Sequence, residues 1–275
     1  MSFEISRSVT FGQYLNLDSS LHRLDPRTKL LSVAALMTAL MICRTPGGLA
    51  VGLLAAMIIQ VAGRIPLGYT LRGLRLLIIT MLFLFVFQAL FYQAPPEETI
   101  WRWWLLSFSW AGVLQGSLMV VRVVLLYQLT TTLMFTTTLM DLADGVEIML
   151  KPLTHVGMPV NEIVMTLVVA LKFVPVLISD LEQMIKAQVS RGAAFDQGNL
   201  LARARTVGAT LVPLCINALA RAEVLTAAMH ARCYRGGQGR TKRRVLTFLL
   251  ADGIALGVAL ALAVGAIWLS RGLNV

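Results

Sequence analysis

Five stretches of apolar residues, and after the fourth a polar stretch too long to be a connecting loop, constrain this chain more than any other feature. The first apolar stretch runs from Leu30 to about Thr45 and the second from Gly47 to Gly63. Arg44-Thr45-Pro46-Gly47-Gly48 between them is a tight-turn signal, which predicts a helical hairpin. The third runs from Leu74 to Tyr92, the fourth from about Leu105 to Met140, and the fifth from Val245 to Leu269. Their lengths scatter around the roughly 20 residues that cross a bilayer as a helix, the first two falling short. Only 14% of the 275 residues are charged; a soluble domain usually carries about 25%. Most of the surface must therefore face lipid.

Charge placement orients the stretches. Arg7, Arg23, Arg27 and Lys29 precede the first, and Arg64, Arg72 and Arg75 fall between the second and third. The loop before the fourth holds Pro95-Pro96-Glu97-Glu98 and one Arg102, with Trp101, Trp103, Trp104 and Trp110 clustered beside it. Basic residues stay on the cytoplasmic side, and indole rings favour the membrane–water interface. The amino terminus is thus expected inside and the carboxyl terminus outside, in a multi-pass protein of the cell (inner) membrane. The net charge of +10 has the same cause. With no recognised basic-aromatic binding module in the chain, nucleic acid is not an expected partner. Residues 1–29 lack the apolar core and cleavage site of a signal peptide.

The segment from Leu142 to Arg244 carries thirteen Lys and Arg and must hold its own structure, since unstructured loops rarely exceed about 15 residues. From Asn161 to Val189 the pattern is helical and bent at Pro175. In its second half Ile178, Leu181, Ile185 and Val189 face one way, while Ser179, Asp180, Glu182, Gln183 and Lys186 face away. A second helix places Val207, Leu211, Leu214, Ala218, Ala222, Leu225 and Met229 on one stripe by spacings of three and four. Both carry charges through their length, which predicts two long amphipathic helices at the cytoplasmic face, packed on one another or on a partner. An interfacial helix resting on lipid is the alternative.

Each helix closes on a similar pattern. The first ends Ala187-Gln188-Val189-Ser190-Arg191-Gly192-Ala193, the second Met229-His230-Ala231-Arg232-Cys233-Tyr234-Arg235-Gly236-Gly237. Ordinary C-capping accounts for one such end: a small residue stops the helix and a cation suits its negative pole. It accounts less well for two alike. An arginine between small residues can also reach into a groove on another protein and pair with a carboxylate through its planar fork.

The ordered series of motifs resembles the T component, the transmembrane coupling protein, of energy-coupling-factor (ECF) transporters. The opening Gly12-Gln13-Tyr14, followed by Ser20-Leu21-His22-Arg23-Leu24-Asp25-Pro26-Arg27-Thr28-Lys29-Leu30, is similar to the family's amino-terminal signature. Leu142-Ala143-Asp144-Gly145 with Lys151-Pro152-Leu153, and Lys172-Phe173-Val174-Pro175, resemble its mid-chain elements. Arg232 to Thr241 resembles its second Ala-Arg-Gly motif and tail. Ser190 stands where that motif has Ala, and Cys233 where it has Gly; Cys233 suits a left-handed cap less well. The resemblance implies an all-α polytopic membrane protein of about five transmembrane helices plus a cytoplasmic domain of long coupling helices. It divides as 1–29 cytoplasmic, 30–140 four spans, 141–244 the coupling domain and 245–275 the last span. It also implies the partners: two cytoplasmic ABC ATPases, and a membrane S component that binds a vitamin or metal. The ATPases would engage Ser190, Arg191 and Gly192 at one helix end and Ala231, Arg232 and Cys233 at the other.

The residues themselves offer no catalytic set. No G-x-x-x-x-G-K-[ST] is present, so nucleotide binding through a P-loop is excluded. Cys43, Cys215 and Cys233 lack metal spacing, and His22, His155 and His230 are dispersed, so neither a metal nor another cofactor is expected. Asp141, Asp144 and Glu147 recur at three-residue intervals, which suits the first turn of a helix as well as a carboxylate cluster. Arg122 lies inside the fourth apolar stretch, where an ionisable residue is by default a functional candidate. The alternative is an arginine facing the bundle and bonded to carbonyls or to Gln128. Two other functions compete with the coupling subunit. A conventional ABC permease would carry its own substrate path but usually one coupling helix per chain, and a membrane enzyme would need convergent reactive groups.

Overall fold

The computed structural model describes residues 19–43, 45–92, 99–103, 106–193, 200–234, 236 and 248–272. The Gly12-Gln13-Tyr14 element, Arg44, the 95–98 acidic turn, Trp104, Arg235 and the basic tail with Arg240, Arg243 and Arg244 lie outside them. The chain divides into two compact units, Gln13–Gly145 with Val245–Val275, and Met1–Gly12 with Val146–Arg244.

Among the described residues, five long helices make up most of the first unit: α1 (Pro26–Ile42), α2 (Pro46–Gly63), α3 (Leu67–Phe91), α4 (Trp110–Thr136) and, after the second unit, the carboxyl-terminal helix Leu250–Gly272. They coincide with the five apolar stretches, with shifted starts. Asp25 caps α1, its Oδ1 accepting from the Arg27 N–H at 3.0 Å, and Pro26 takes the first helical position, where no N–H is needed. α1 therefore begins four residues before the apolar run and includes Lys29. α3 likewise begins at Leu67, so Arg72 and Arg75 lie in its first turns and not in a loop.

Small residues set the contacts. α3 and α4 run antiparallel, and a Cβ on Gly112 would come within 3.0 Å of the Ala89 carbonyl oxygen. α2 meets the carboxyl-terminal helix at Gly48, where a Cβ would lie 2.9 Å from the Ala266 oxygen. Without a hydrophobic gain between helices in lipid, such close approach supplies the packing energy. Leu36, Leu40, Leu49, Leu125 and Leu129 fill the centre with Ala259 and Ala263.

Between α3 and α4 the sequence reading placed a loop and let the fourth apolar stretch begin at Leu105. The structure forms a β-hairpin there, β1 (Thr99–Trp103) and β2 (Leu106–Ser109), paired antiparallel with Trp101 opposite Phe108 and Trp103 opposite Leu106. The β-branched and aromatic residues Thr99, Ile100, Trp101 and Trp103, and the alternation Leu106-Ser107-Phe108-Ser109, suit strands and not a helix. Ser109 then caps α4 by accepting from the Ala111 N–H.

α4 ends at Thr136, and a new helix, α5 (Leu139–Leu150), starts with Thr138 and Asp141 bonded reciprocally: the Asp141 N–H donates to Thr138 Oγ1 at 3.1 Å, and Thr138 Oγ1 donates to Asp141 Oδ2 at 2.8 Å. Thr138 thus caps the start of α5, with the Asp141 carboxylate bonded to the capping hydroxyl. A 3₁₀ turn, Lys151–Val156, leads on.

The second unit is dominated by α6 (Val160–Ser190) and α7 (Leu200–Ala231), which pack on each other. Ile178, Leu181 and Ile185 on α6, and Leu214, Ala218, Leu225 and Met229 on α7, are half-buried as the stripes require. Val189, Val207, Leu211 and Ala222 remain exposed. The carboxyl-terminal helix, now α8, completes the order.

By length and composition, α2, α4, α6, residues 206–231 of α7, and α8 are each able to cross a membrane. α1, with 17 residues, is shorter than these, and residues Leu77–Phe91 of α3 form a further, shorter apolar stretch.

Candidate functional site

The two arginine-bearing helix ends are built alike, bond for bond. α6 stops at Ser190 with Arg191 as its C-cap; the Gly192 N–H donates to the Val189 carbonyl at 2.9 Å and the Ala193 N–H to the Gln188 carbonyl at 3.0 Å. Gly192 sits in the left-handed region at φ +84°. α7 stops at Ala231; the Cys233 N–H donates to the His230 carbonyl at 2.9 Å and the Tyr234 N–H to the Met229 carbonyl at 3.0 Å. Cys233 takes the left-handed position at φ +55°. Both are Schellman motifs, in which the last orphan carbonyls are satisfied by the two residues after the cap. In each the arginine occupies the C-cap, where the negative pole of the helix favours a cation. The structure thus shows the cap that the sequence offered as the plain reading of each end, and shows it twice with the arginine in the same place.

Ser190, Arg191, Gly192, Ala231, Arg232 and Cys233 are all exposed. Among the described residues, no hydrogen bond or ion pair joins the first three to the last three. An ion pair links the two helices through a residue that the periodicity assigned to the outside: Asp180 on α6 lies 2.9–3.0 Å from Arg221 Nη2 on α7. The Asp180 side chain is 13% exposed and that of Arg221 46%. Arg221 lies eleven residues before Arg232, and Asp180 eleven before Arg191. Each arm from the crosslink to its arginine is therefore about 16 Å at 1.5 Å per residue.

In the first unit, polar side chains fix helix ends. Lys29, 4% exposed, donates from Nζ to the Thr136 carbonyl at 2.9 Å and the His22 carbonyl at 3.3 Å. Arg122 donates from Nη2 to the Cys43 carbonyl, at the C-cap of α1. So α1 and α4 lie antiparallel and each caps the other's carboxyl end with a cation. Lys29 and Cys43 are fourteen residues apart, as are Arg122 and Thr136. Arg122 takes the carbonyl-bound arrangement; Gln128 pairs instead with Gln60 of α2. Asp252, 1% exposed, accepts from the Leu249 N–H and the Asp25 N–H, each at 2.8 Å, and so ties the starts of α8 and α1. One end of this unit thus gathers Arg23, Arg27, Lys29, Arg64 and the start of α3. The other holds the hairpin with Trp101 and Trp103, Trp110 (70% exposed), Trp268 (76%) and Arg271. Among the described residues, no group of three or more His, Cys, Asp or Glu is arranged to hold a metal ion.

Comparison with known proteins agrees with this architecture. Residues 18–243 match the family model CbiQ, described as cobalt transport protein. The energy-coupling factor transporter transmembrane protein EcfT of Heliobacterium modesticaldum is 41% identical over 240 residues, 87% of this chain and 89% of that one. EcfT of Thermanaerovibrio acidaminovorans is 40% identical over 271 residues, 98% and 99% of the two chains. EcfT of Acidaminococcus fermentans is 38% identical over 258 residues, 93% and 94%. With the paired arginine-capped helix ends and the all-α multi-pass membrane architecture, these matches establish that the chain belongs to the CbiQ/EcfT family and is the transmembrane T component of an energy-coupling-factor transporter.

Proposed function

We propose that this T component joins two cytoplasmic ABC ATPases to a membrane S component and transmits ATPase closure to it for uptake of a vitamin or other micronutrient. Hydrolysis belongs to the ATPases, and the chain itself is non-catalytic. Arg191 with Ser190 and Gly192 docks one ATPase; Arg232 with Ala231 and Cys233 docks the other. The observation that carries this reading is the repetition of one cap, arginine included, on two arms of equal length from the Asp180–Arg221 pair. Two similar partners call for two similar contact points. α1–α4 and α8 span the cell (inner) membrane, with the Lys/Arg-rich end cytoplasmic and the tryptophan end outside, following the distribution of basic residues and indoles. α6 and α7 lie at the cytoplasmic face although their composition would permit a span. Their charges continue through their length, from Glu162 to Lys186 and from Arg203 to Glu223.

The test is co-purification of the ATPases, together with substrate uptake, for Arg191→Glu, Arg232→Glu and the double variant. Removing one partner of a desolvated ion pair costs about 3–5 kcal/mol, so each single variant should weaken one ATPase contact severely. The double variant should lose both ATPases while the membrane portion still inserts. Arg→Lys keeps the charge without the fork and should fall between. A double Glu variant that keeps its ATPases and transports normally reduces these arginines to helix caps.

A further inference from the structure

A cavity of about 400 Å³ lies within the first unit, between α1, α2, α4 and α8. Its geometry follows from the packing of α2 against α8. At Gly48 and Ala266 the two backbones touch. Toward the other end larger residues face the gap, Ile58 and Ile59 on α2 and Ile254 and Val258 on α8, and the helices part. Val33, Leu36 and Leu133 close the back. Ile58, Ile254 and Val258 are each about half exposed or more, so the cavity opens sideways between α2 and α8. The walls are apolar, and the polar groups gather at one end. There Ser20 donates to the Ala62 carbonyl, and Lys29 keeps its carbonyl partners while its ammonium charge borders the space. Arg23, between the lining residues Leu21 and Leu24, and Arg64, two residues past Ala62, are exposed beside the same end.

We propose that this cavity binds one acyl chain of an anionic phospholipid from the leaflet at the basic end, with the headgroup phosphate held by Arg23 and Arg64. The volume falls in the roughly 300–1,000 Å³ range of ligand pockets, and an apolar chamber with a few polar groups at its mouth is the usual composition of one. A sideways opening between membrane helices gives onto acyl chains. An apolar cleft ending in three cationic side chains selects a ligand with an apolar tail and a negative head, since clusters of Lys and Arg at a membrane surface attract anionic lipid. Charge complementarity thus favours phosphatidylglycerol or a similar lipid over a side chain from another protein or a neutral lipid. The site rests on the first unit being membrane-embedded, not on any role of Arg191 or Arg232.

Two measurements on the full-length chain test it. In liposomes, phosphatidylglycerol carrying a diazirine midway along one acyl chain should crosslink to residues 58–59 and 254–258 several-fold more than to the exposed apolar faces at Ile79, Phe83 and Val264. Even labelling of all these faces overturns the site. In detergent, native mass spectrometry with equal phosphatidylglycerol and phosphatidylcholine should show one retained lipid, enriched about tenfold for phosphatidylglycerol. The Arg23→Gln/Arg64→Gln double variant should bring that ratio to within about twofold, and Ala255→Phe, which fills the cavity, should lower retention of both lipids at least fivefold. Unchanged selectivity in the double variant, or unchanged retention in Ala255→Phe, refutes the proposal, as does a stably bound protein helix crosslinked at 251–258 in place of lipid.

Discussion

Replacing Asp252 tests how the first unit is held closed. The carboxylate is buried, and each oxygen accepts one backbone N–H at 2.8 Å, Oδ1 from Asp25 and Oδ2 from Leu249. Hydrogen bonds to a charged group contribute about 1.5–3 kcal/mol each, and an N–H left buried without a partner costs a similar amount. These are two descriptions of one loss and do not add. Asp252→Ala should therefore destabilise the chain by about 3–5 kcal/mol. Asp252→Asn is more diagnostic, because it keeps shape and volume. Its carbonyl oxygen satisfies one N–H while its NH₂ must face the other, so one neutral bond survives and one contact becomes donor against donor. The expected loss is about 2–4 kcal/mol. At about 2–4 °C per kcal/mol for a chain of this size, the melting temperature in detergent should fall by roughly 5–15 °C. Thermal aggregation followed by size-exclusion chromatography reads this directly. An Asn variant melting within about 2 °C of the parent would show that the two N–H groups find other partners, and the pinning of α8 to α1 by Asp252 would be wrong.

Three further outcomes follow from other contacts. Arg122→Met removes the donor to the Cys43 carbonyl and should cost about 1.5–3 kcal/mol, with Arg122→Lys partly restoring stability; equal melting of all three proteins would refute a capping role. Gly48→Val drives side-chain atoms into the Ala266 carbonyl and should cost about 1–3 kcal/mol or more, measured by the same melt, and a neutral result would mean α2 and α8 are free to separate there. Cys233 holds a left-handed backbone that strains an L side chain by about 1–2 kcal/mol, so Cys233→Gly should slow amide exchange at Cys233 and Tyr234 while Cys233→Val speeds it; equal protection in the two variants would contradict the strain.

The helices were legible because their signals are local. The stripes on α6 and α7 recur every three or four residues, and the Asp-Pro and Arg-Gly ends are capping chemistry. The residues that fix the arrangement were not, because their partners lie far along the chain. Lys29 reads as a flanking positive charge, yet it is buried and bonded to the Thr136 carbonyl at the end of α4, 107 residues away. Asp180 falls on the polar side of its helix by periodicity and is nonetheless sheltered by Arg221. The hairpin was missed for the opposite reason: its period of two is only a few residues long and was absorbed into the apolar run that follows. Arg122 declared itself as a charge within an apolar stretch, but only the register of α1 against α4 identifies the carbonyl it serves.

The bond between Asp25 and Asp252 spans 227 residues, and this bears on how the protein is made. Synthesis proceeds at about 5–20 residues per second, so roughly 11–45 s separate the appearance of the two partners at the ribosome. Over that interval the start of α1, a helix of 17 residues, holds a backbone N–H that awaits its acceptor. Its other anchors on α4 arrive about midway. Of the described helices, α1 is thus the first to be synthesised, and its starting N–H finds its acceptor only with α8. A chain cut short before α8 leaves the Asp25 N–H without the Asp252 carboxylate that accepts it.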